Sequence, residues 1–329
     1  MAQFRVVVTD HFFYPLSVER SVLEKIDTEL VDVNKKTNQE VLDACRNADG
    51  LINLFYPIDK NFISELKKCR VISRYGTGVD NVDVASATEK GIVVANVPSY
   101  CTEEVSDQAM ALLYACARRI IPYHLNVKEG KWDYTIGKPM FRIRGQILGL
   151  LGFGNNAKAL ASKAKGVGLQ VIAHDPFIDD SIIRSYGIES VSFKELLTRS
   201  DYISIHCSLT EKTRHLFSIN EFKTMKKTAF IINTARGGII DSNALYQAIK
   251  EQWIAGAGLE VTDPEPLPLD NPLRNLDNII FNPHTGWYSE ESTEDLRRKT
   301  AEGVLYVLEG KIPPSFVNKD VLNKITLRV

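Results

Sequence analysis

No run in this sequence is long and apolar enough to cross a bilayer, which takes about 20 consecutive apolar residues. No N-terminal leader is expected either: Phe4-Arg5-Val6-Val7-Val8 reads as a short strand followed by Thr9-Asp10, whereas a secretory signal needs a longer apolar stretch and a small-residue cleavage site. Charge of one sign is also lacking. The 40 basic and 41 acidic side chains nearly cancel, so no net field draws the chain to nucleic acid or to anionic lipid. The five cysteines (Cys45, Cys69, Cys101, Cys116 and Cys207) are scattered, odd in number and never spaced as CxxC, which argues against a disulfide framework and a zinc site. Low-complexity tracts and short repeats do not occur. These absences leave a cytoplasmic globular protein without a metal as the expectation, with a small molecule rather than a polymer or a membrane as its partner.

What is present has a rhythm. Short apolar runs alternate with amphipathic stretches from end to end, and 329 residues give room for two cores. Val6–Val8, Gly50–Leu54, Val71–Ser73 and Ile92–Val94 read as buried parallel strands, with helical patterns such as Val18–Ile26 and Asn61–Lys68 between them. Ile147–Leu151, Gln170–Ala173, Tyr202–Ile205, Ala229–Ile232, Gly256–Leu259 and Ile279–Phe281 repeat the pattern. The expected fold is α/β, with two doubly wound parallel-sheet domains. The spacing predicts a linking helix from Thr102, its N-cap, to Ile120, with Arg118 and Arg119 in the last turn. A second crossing helix, Ser289–Leu308, would bring the chain back to the first domain. The domains are therefore expected at 1–98, 99–288 and 289–329, the outer two segments forming one discontinuous unit.

Strand Ile147–Leu151 runs into Gly152-Phe153-Gly154-Asn155-Asn156-Ala157 and then a helical stretch, Lys158–Lys165. A G-x-G-x-x-A turn in this strand–turn–helix setting is a dinucleotide signature, because the unpaired N–H groups of the helix start attract a pyrophosphate. Asp175 ends the next strand about twenty residues on, where an acidic group can accept from ribose hydroxyls and repel a 2′-phosphate. The cofactor expected is NAD.

Three polar residues stand at loop positions after later strands. Arg236 follows Ile231-Ile232-Asn233-Thr234-Ala235, Glu265 lies in Asp263-Pro264-Glu265-Pro266, and His284 lies in Asn282-Pro283-His284-Thr285-Gly286. Singly, each has an ordinary reading: a surface ion pair, a solvated turn residue, a satisfied loop histidine. Together they supply what hydride transfer to a 2-oxo acid requires of a protein: an arginine clamp for the carboxylate, a histidine proton donor, and a glutamate that orients the imidazole.

These segments, with Gly256-Ala257-Gly258-Leu259-Glu260-Val261, resemble in order and separation the signatures of the D-isomer-specific 2-hydroxyacid dehydrogenases, and the likeness covers essentially the whole chain. It implies a Rossmann NAD-binding domain and a discontinuous flavodoxin-like substrate domain, with Arg236 binding substrate and Glu265 and His284 as the acid–base pair. Arg74-Tyr75-Gly76-Thr77-Gly78 resembles the family's substrate loop, so Arg74, Gly76, Thr77 and Gly78 are candidate substrate contacts. The same likeness places Thr77, His206, Cys207, Thr213, Thr234, Ala235, Glu260 and Gly286 beside the cofactor, with Gly152, Gly154, Asn155, Asn156 and Asp175. Pro98–Glu104 and His284–Ser289 look most like the C-terminal-binding-protein-like branch, in which Trp287 would either wall the substrate pocket or simply pack. Asn155 and Asn156 depart from the family's usual Arg-Ile pair, and Glu260 from its usual aspartate. The resemblance implies a homodimer, with the Thr102–Ile120 helix as the expected contact. Two rival readings remain at this point: an NAD-sensing corepressor-like binding module, and a phosphoglycerate dehydrogenase.

Overall fold

Valine runs build the first sheet: Val6, Val7 and Val8 lose all exposure in β1 (Phe4–Val8), as fits a strand covered on both faces. The computed structural model describes residues 2–328, which fall into two units, one of residues up to Cys101 with those from Ser289 on, the other Thr102–Tyr288. In the first unit β1 is followed by α1 (Ser17–Leu23), β2 (Thr28–Asp32), α2 (Asn38–Cys45), β3 (Gly50–Asn53), α3 (Lys60–Glu65), β4 (Val71–Arg74), α4 (Val84–Glu89) and β5 (Val93–Ala95). All pairings are parallel and the order is β2-β1-β3-β4-β5, the flavodoxin-like winding. The loops after β1, β3 and β4 therefore leave three adjacent strands at one edge.

Three local readings are corrected here. The edge strand β2 was not expected, because its Thr-Glu-Leu-Val-Asp sequence buries only Leu30 and offers no apolar run. The helix expected over Val18–Ile26 ends at Leu23, and a 3-10 turn, Glu24–Ile26, closes on Asp27 in a left-handed conformation. The helix expected to reach Lys68 stops at Glu65, because Leu66 turns extended and buries its side chain.

The second unit begins with α5 (Thr102–Ala117) and α6 (Ile120–Lys128), then alternates β6 (Ile147–Leu151), α7 (Asn155–Gly166), β7 (Gln170–His174), α8 (Asp180–Ser185), β8 (Glu189–Ser190), α9 (Phe193–Arg199), β9 (Tyr202–Ile205), α10 (Ile219–Thr224), β10 (Phe230–Asn233), α11 (Ser242–Lys250), β11 (Gly256–Leu259) and β12 (Ile279–Phe281). Its seven parallel strands lie in the order β12-β11-β10-β9-β6-β7-β8. The winding reverses between β6 and β9, and ligands of open α/β sheets bind outside the carboxyl ends of the strands at such a switch. Both doubly wound parallel sheets are thus as expected. The linking helix is not continuous: it starts at Thr102 itself rather than using it as a cap, and ends at Ala117. Arg119 is left-handed at φ 53° and α6 starts afresh. Pro122 explains the break, since it has no N–H for the carbonyl of Arg118 and its ring would strike that carbonyl in a continuing helix.

The last α-helix, α12 (Glu290–Leu308), belongs to the first unit and is started by a Ser289–Ser292 capping box. Its Arg297 grips the fully buried Glu19 through Nε and Nη2, at 2.9 and 2.7 Å, and Tyr75 donates to the same carboxylate at 2.9 Å. Among the described residues no helix is long and apolar enough to cross a membrane.

Candidate active site

At the β6–α7 turn Gly152 has φ +87°, and a side chain there would come within 2.7 Å of the Cys207 backbone nitrogen. Only glycine lets the turn lie this close to the end of β9. Gly154 caps α7 without any side-chain hydrogen bond to the helix start, and the space where its Cβ would stand is open to 4 Å. Ala157 is fully buried against the sheet. A twelve-residue helix with uncapped N–H groups, entered through an open glycine, fits a dinucleotide pyrophosphate. Asn155 and Asn156 form the first turn of α7 and bring no charge of their own. Asp175 accepts from the N–H of Phe153 at 2.8 Å through one oxygen, and from that of Phe177 at 2.9 Å through the other. It thereby holds the glycine turn in shape, while each oxygen retains a lone pair.

The other residues of the second unit expected beside the cofactor lie at the carboxyl ends of β9, β10, β11 and β12, or in the loops that follow them. His206 meets the Ser204 hydroxyl at 2.8 Å, and desolvation of its ring pulls its pKa down to about 4. Burial pushes the Cys207 thiol up to about 11. Thr213 closes its own loop, donating to Ser208 O at 2.7 Å, and Ala235 is half-buried against the core. The Thr234 hydroxyl is different: it is buried and has no hydrogen-bond partner. An orphaned buried hydroxyl at a strand end costs about 1–3 kcal/mol unless something pairs with it, so it too fits a site built for a polar ligand.

Arg236 follows β10, Glu265 follows β11 and His284 follows β12, so all three stand at the carboxyl edge of adjacent parallel strands. The loops are pressed together: a Cβ on Gly237 would fall 2.0 Å from the Thr262 carbonyl. Asn233, fully buried, accepts from Ala235 N at 3.0 Å and donates to Arg236 O at 2.9 Å, which fixes the turn that presents Arg236. The Arg236 guanidinium also donates to Ala235 O at 2.8 Å. His284 Nδ1 lies 2.5 Å from Glu265 Oε1. An ionised carboxylate only accepts, so Nδ1 carries a proton and Nε2 is left as the reactive nitrogen. Glu265 itself sits between two cis prolines, Pro264 and Pro266.

Glu260 is turned to the protein. Its buried carboxylate accepts from the backbone N–H of Thr285 and, at 2.7 Å, of Gly286, and from Gln108 of α5 at 2.7 Å. Its carbonyl accepts from His284 N at 3.0 Å. Glu260 therefore clamps the loop that carries His284, whose φ is +55°. Trp287, half-buried, packs edge-on against Tyr288 with centroids 5.6 Å apart.

In the first unit, Thr77 donates to Val97 O at 3.1 Å, and the Gly76 carbonyl accepts from Val97 N at 2.8 Å, which secures the loop after β4. Arg74 lies at the end of β4, its Nε donating to Leu54 O at 3.2 Å, and Gly78 is half-buried beside it. Sequence reasoning missed the residues that hold these loops. Asp10 accepts from the N–H groups of Leu54, Phe55 and Tyr56, at 3.0, 2.5 and 3.0 Å, and so ties the β3 loop to the β1 loop. Asn81 donates to Asn53, Leu54 and Tyr56. The only signal of Asp10 was its place at a strand end, and Gln108 and Asn233 carried none as site residues.

Residues 110–286 match the family described as "D-isomer specific 2-hydroxyacid dehydrogenase, NAD binding domain". A glyoxylate reductase of Korarchaeum cryptofilum (strain OPF8) is 38% identical over 286 residues, 86% of each chain. A D-3-phosphoglycerate dehydrogenase of Methanocaldococcus jannaschii is also 38% identical, over 95% of this chain but 59% of its own length. Among solved structures, a glyoxylate reductase from Paecilomyes thermophila superposes with a TM-score of 0.87 at 25% identity, covering 96% of this chain and 99% of that one. The corepressor-like and phosphoglycerate dehydrogenase readings are not favoured by these relatives taken together.

Proposed function

The chain belongs to the D-isomer specific 2-hydroxyacid dehydrogenase family and is an NAD-dependent oxidoreductase, and we propose that Arg236, Glu265 and His284 carry its chemistry. The observation behind this reading is the 2.5 Å His284–Glu265 pair, next to a strand whose end presents Arg236. His284 Nε2 gives its proton to the carbonyl oxygen of a 2-oxo acid, and Glu265 holds the ring and balances the imidazolium. Arg236 anchors the carboxylate by a charge-assisted fork; in the first unit, Arg74, Gly76, Thr77 and Gly78 are candidate substrate contacts on family likeness. When bound, NADH supplies the hydride. The uncapped start of α7 takes the pyrophosphate, Asp175 the ribose, and the Thr234 hydroxyl a polar group of the dinucleotide. The refinement to the C-terminal-binding-protein-like branch is supported by Pro98–Glu104 and His284–Ser289, and a cytoplasmic location by five scattered cysteines that nowhere form a CxxC motif.

We also infer that the chain pairs with a second copy of itself. The support lies beyond the expected helix: α5 buries its apolar face on its own unit, whereas Ile120, Leu125, Val127, Trp132 and Phe141 are each at least 47% exposed within 22 residues of sequence. Monomers rarely expose apolar surface so densely.

The reading is tested by mixing purified protein and NADH with glyoxylate, pyruvate, hydroxypyruvate and longer 2-oxo acids. NADH oxidation with at least one of them is expected. His284→Ala and Arg236→Ala should each cut turnover by roughly 10²–10⁴-fold while NADH fluorescence still reports binding. Near-normal turnover in either variant, or none in the parent protein, removes the assignment.

A further inference from the structure

The loop after β11 has little of its own with which to hold Glu265. Asp263, Pro264, Glu265 and Pro266 are all exposed, and the two prolines have no N–H to donate. Yet the Glu265 carboxylate stands 2.5 Å from His284 Nδ1. Side chains supply the ties that the backbone cannot make. The Thr262 hydroxyl donates to Pro264 O at 2.9 Å, and the Ser242 hydroxyl to Asp263 O at 3.3 Å. Two arginines from other segments bracket the loop. On its far side Arg274 donates through Nη2 to Leu267 O at 2.6 Å and through Nε to Pro268 O at 2.8 Å. On its near side Arg214 Nη1 meets Asp263 Oδ2 at 3.3 Å.

Both arginines stand on fixed bases within the second unit. Arg274 belongs to the 3-10 turn Pro272–Asn275, which Asn271 caps by accepting from Leu273 N at 3.0 Å, and Leu273 is buried in the core. Arg214 lies in the loop after β9, where its N–H donates to Thr210 O at 2.9 Å and that of His215 to Gly238 O at 2.8 Å. Gly238 leaves room for the ion pair: a Cβ there would lie 3.0 Å from Asp263 Oδ2 and 3.3 Å from Arg214 Nη1. We propose that Arg214 and Arg274 are positioning residues for Glu265, bracketing its loop so that the carboxylate stays on His284 Nδ1. This rests on the reading above, in which His284 and Glu265 are the acid–base pair. An exposed ion pair such as Arg214–Asp263 adds little to stability, whereas misplacing a catalytic group by about 1 Å can cost about 10²-fold in rate. The two arginines therefore act on placement rather than on folding.

The test is a double-mutant cycle on kcat, with NADH and the fastest of glyoxylate, pyruvate and hydroxypyruvate. Arg274→Met should lower kcat by about tenfold and Arg214→Met by about threefold, while NADH fluorescence titrations give a dissociation constant within about twofold of the parent's. Glu265→Ala should lower kcat by more than either. Added to that variant, each arginine substitution should cost less than about twofold further, because the bracket then has no carboxylate left to place. The Arg214 side chain is 55% exposed, so Arg214→Met carries the test alone should Arg274→Met fail to fold. Arginine losses that multiply in full with that of Glu265→Ala, or a kcat that neither arginine substitution moves, overturn the positioning role and leave the acid–base pair standing. Near-parent turnover in Glu265→Ala overturns the acid–base reading and the positioning role with it.

Discussion

A single proton decides how His284 would work in the role proposed for it. Because Glu265 accepts at Nδ1, the imidazole has one tautomer when neutral and only Nε2 can exchange a proton with a substrate. This could be anticipated from the order Arg236, Glu265, His284, since each lies just past a recognisable strand. What the sequence could not convey is which polar groups are occupied elsewhere. Asp10, Asn81 and Asn233 look like ordinary turn residues, and their importance comes from backbone N–H and C=O groups brought near them by folding. His206 makes the same point through burial. Held neutral down to about pH 4 in the folded chain, it takes up a proton near its ordinary 6.5 once unfolded. Between those values the unfolded state binds more protons, so stability falls as pH drops from 6.5 toward 4. Thermal melts across that range should show His206→Gln losing less Tm per pH unit than the parent. Parallel curves would mean that the imidazole is not the acid-sensitive group.

At the scale of elements, the alternation of strands and helices was legible because buried parallel strands leave uninterrupted apolar runs. The edge strand β2 and the break before α6 were not, one for want of burial and the other because Pro122 overrides a helical pattern that continues on either side of it. The loop after β12 shows how elements cooperate on one residue. Glu260 from the end of β11, with Gln108 from α5, holds Thr285 and Gly286, while His284 takes up a left-handed backbone conformation. Family likeness placed Glu260 beside the cofactor; its hydrogen bonds make it a positioning residue for the histidine loop. A glutamate reaches both the loop and Gln108, and aspartate is a methylene shorter. Glu260→Gln keeps the length but supplies only one carbonyl oxygen. Hydrogen bonds to a charged group contribute about 1.5–3 kcal/mol each, so the loop should loosen. We expect kcat to fall at least about tenfold with NADH affinity changed little, and Glu260→Asp to be no better. If the NADH dissociation constant rises in step with the loss of kcat, Glu260 is a cofactor contact after all.

For the whole molecule, the question is what covers the surface after α5. Family likeness pointed to Thr102–Ile120 as the contact between copies, while Val105, Ala109, Leu112, Leu113 and Cys116 are buried within their own unit. The segment that follows has no such cover: α6 buries none of its residues, and Trp132 is 91% exposed. Sequence reading could not separate the two, because an apolar stripe looks the same whether it meets its own sheet or another chain. A two-fold arrangement lets one such patch cover its counterpart, so each substitution acts twice in the assembly. Most of these side chains are about half exposed, so covering the rest contributes roughly half of the 1.5–3 kcal/mol of a full burial each, before the cost of association. Leu125→Glu with Val127→Glu places four carboxylates in the paired surface and should shift the parent dimer to monomer in sedimentation or light scattering at micromolar concentration. Neither residue belongs to the fold's core, so the far-ultraviolet spectrum should stay that of the parent. A parent that sediments as a monomer, or a double variant that remains dimeric, would assign the apolar segment to another role.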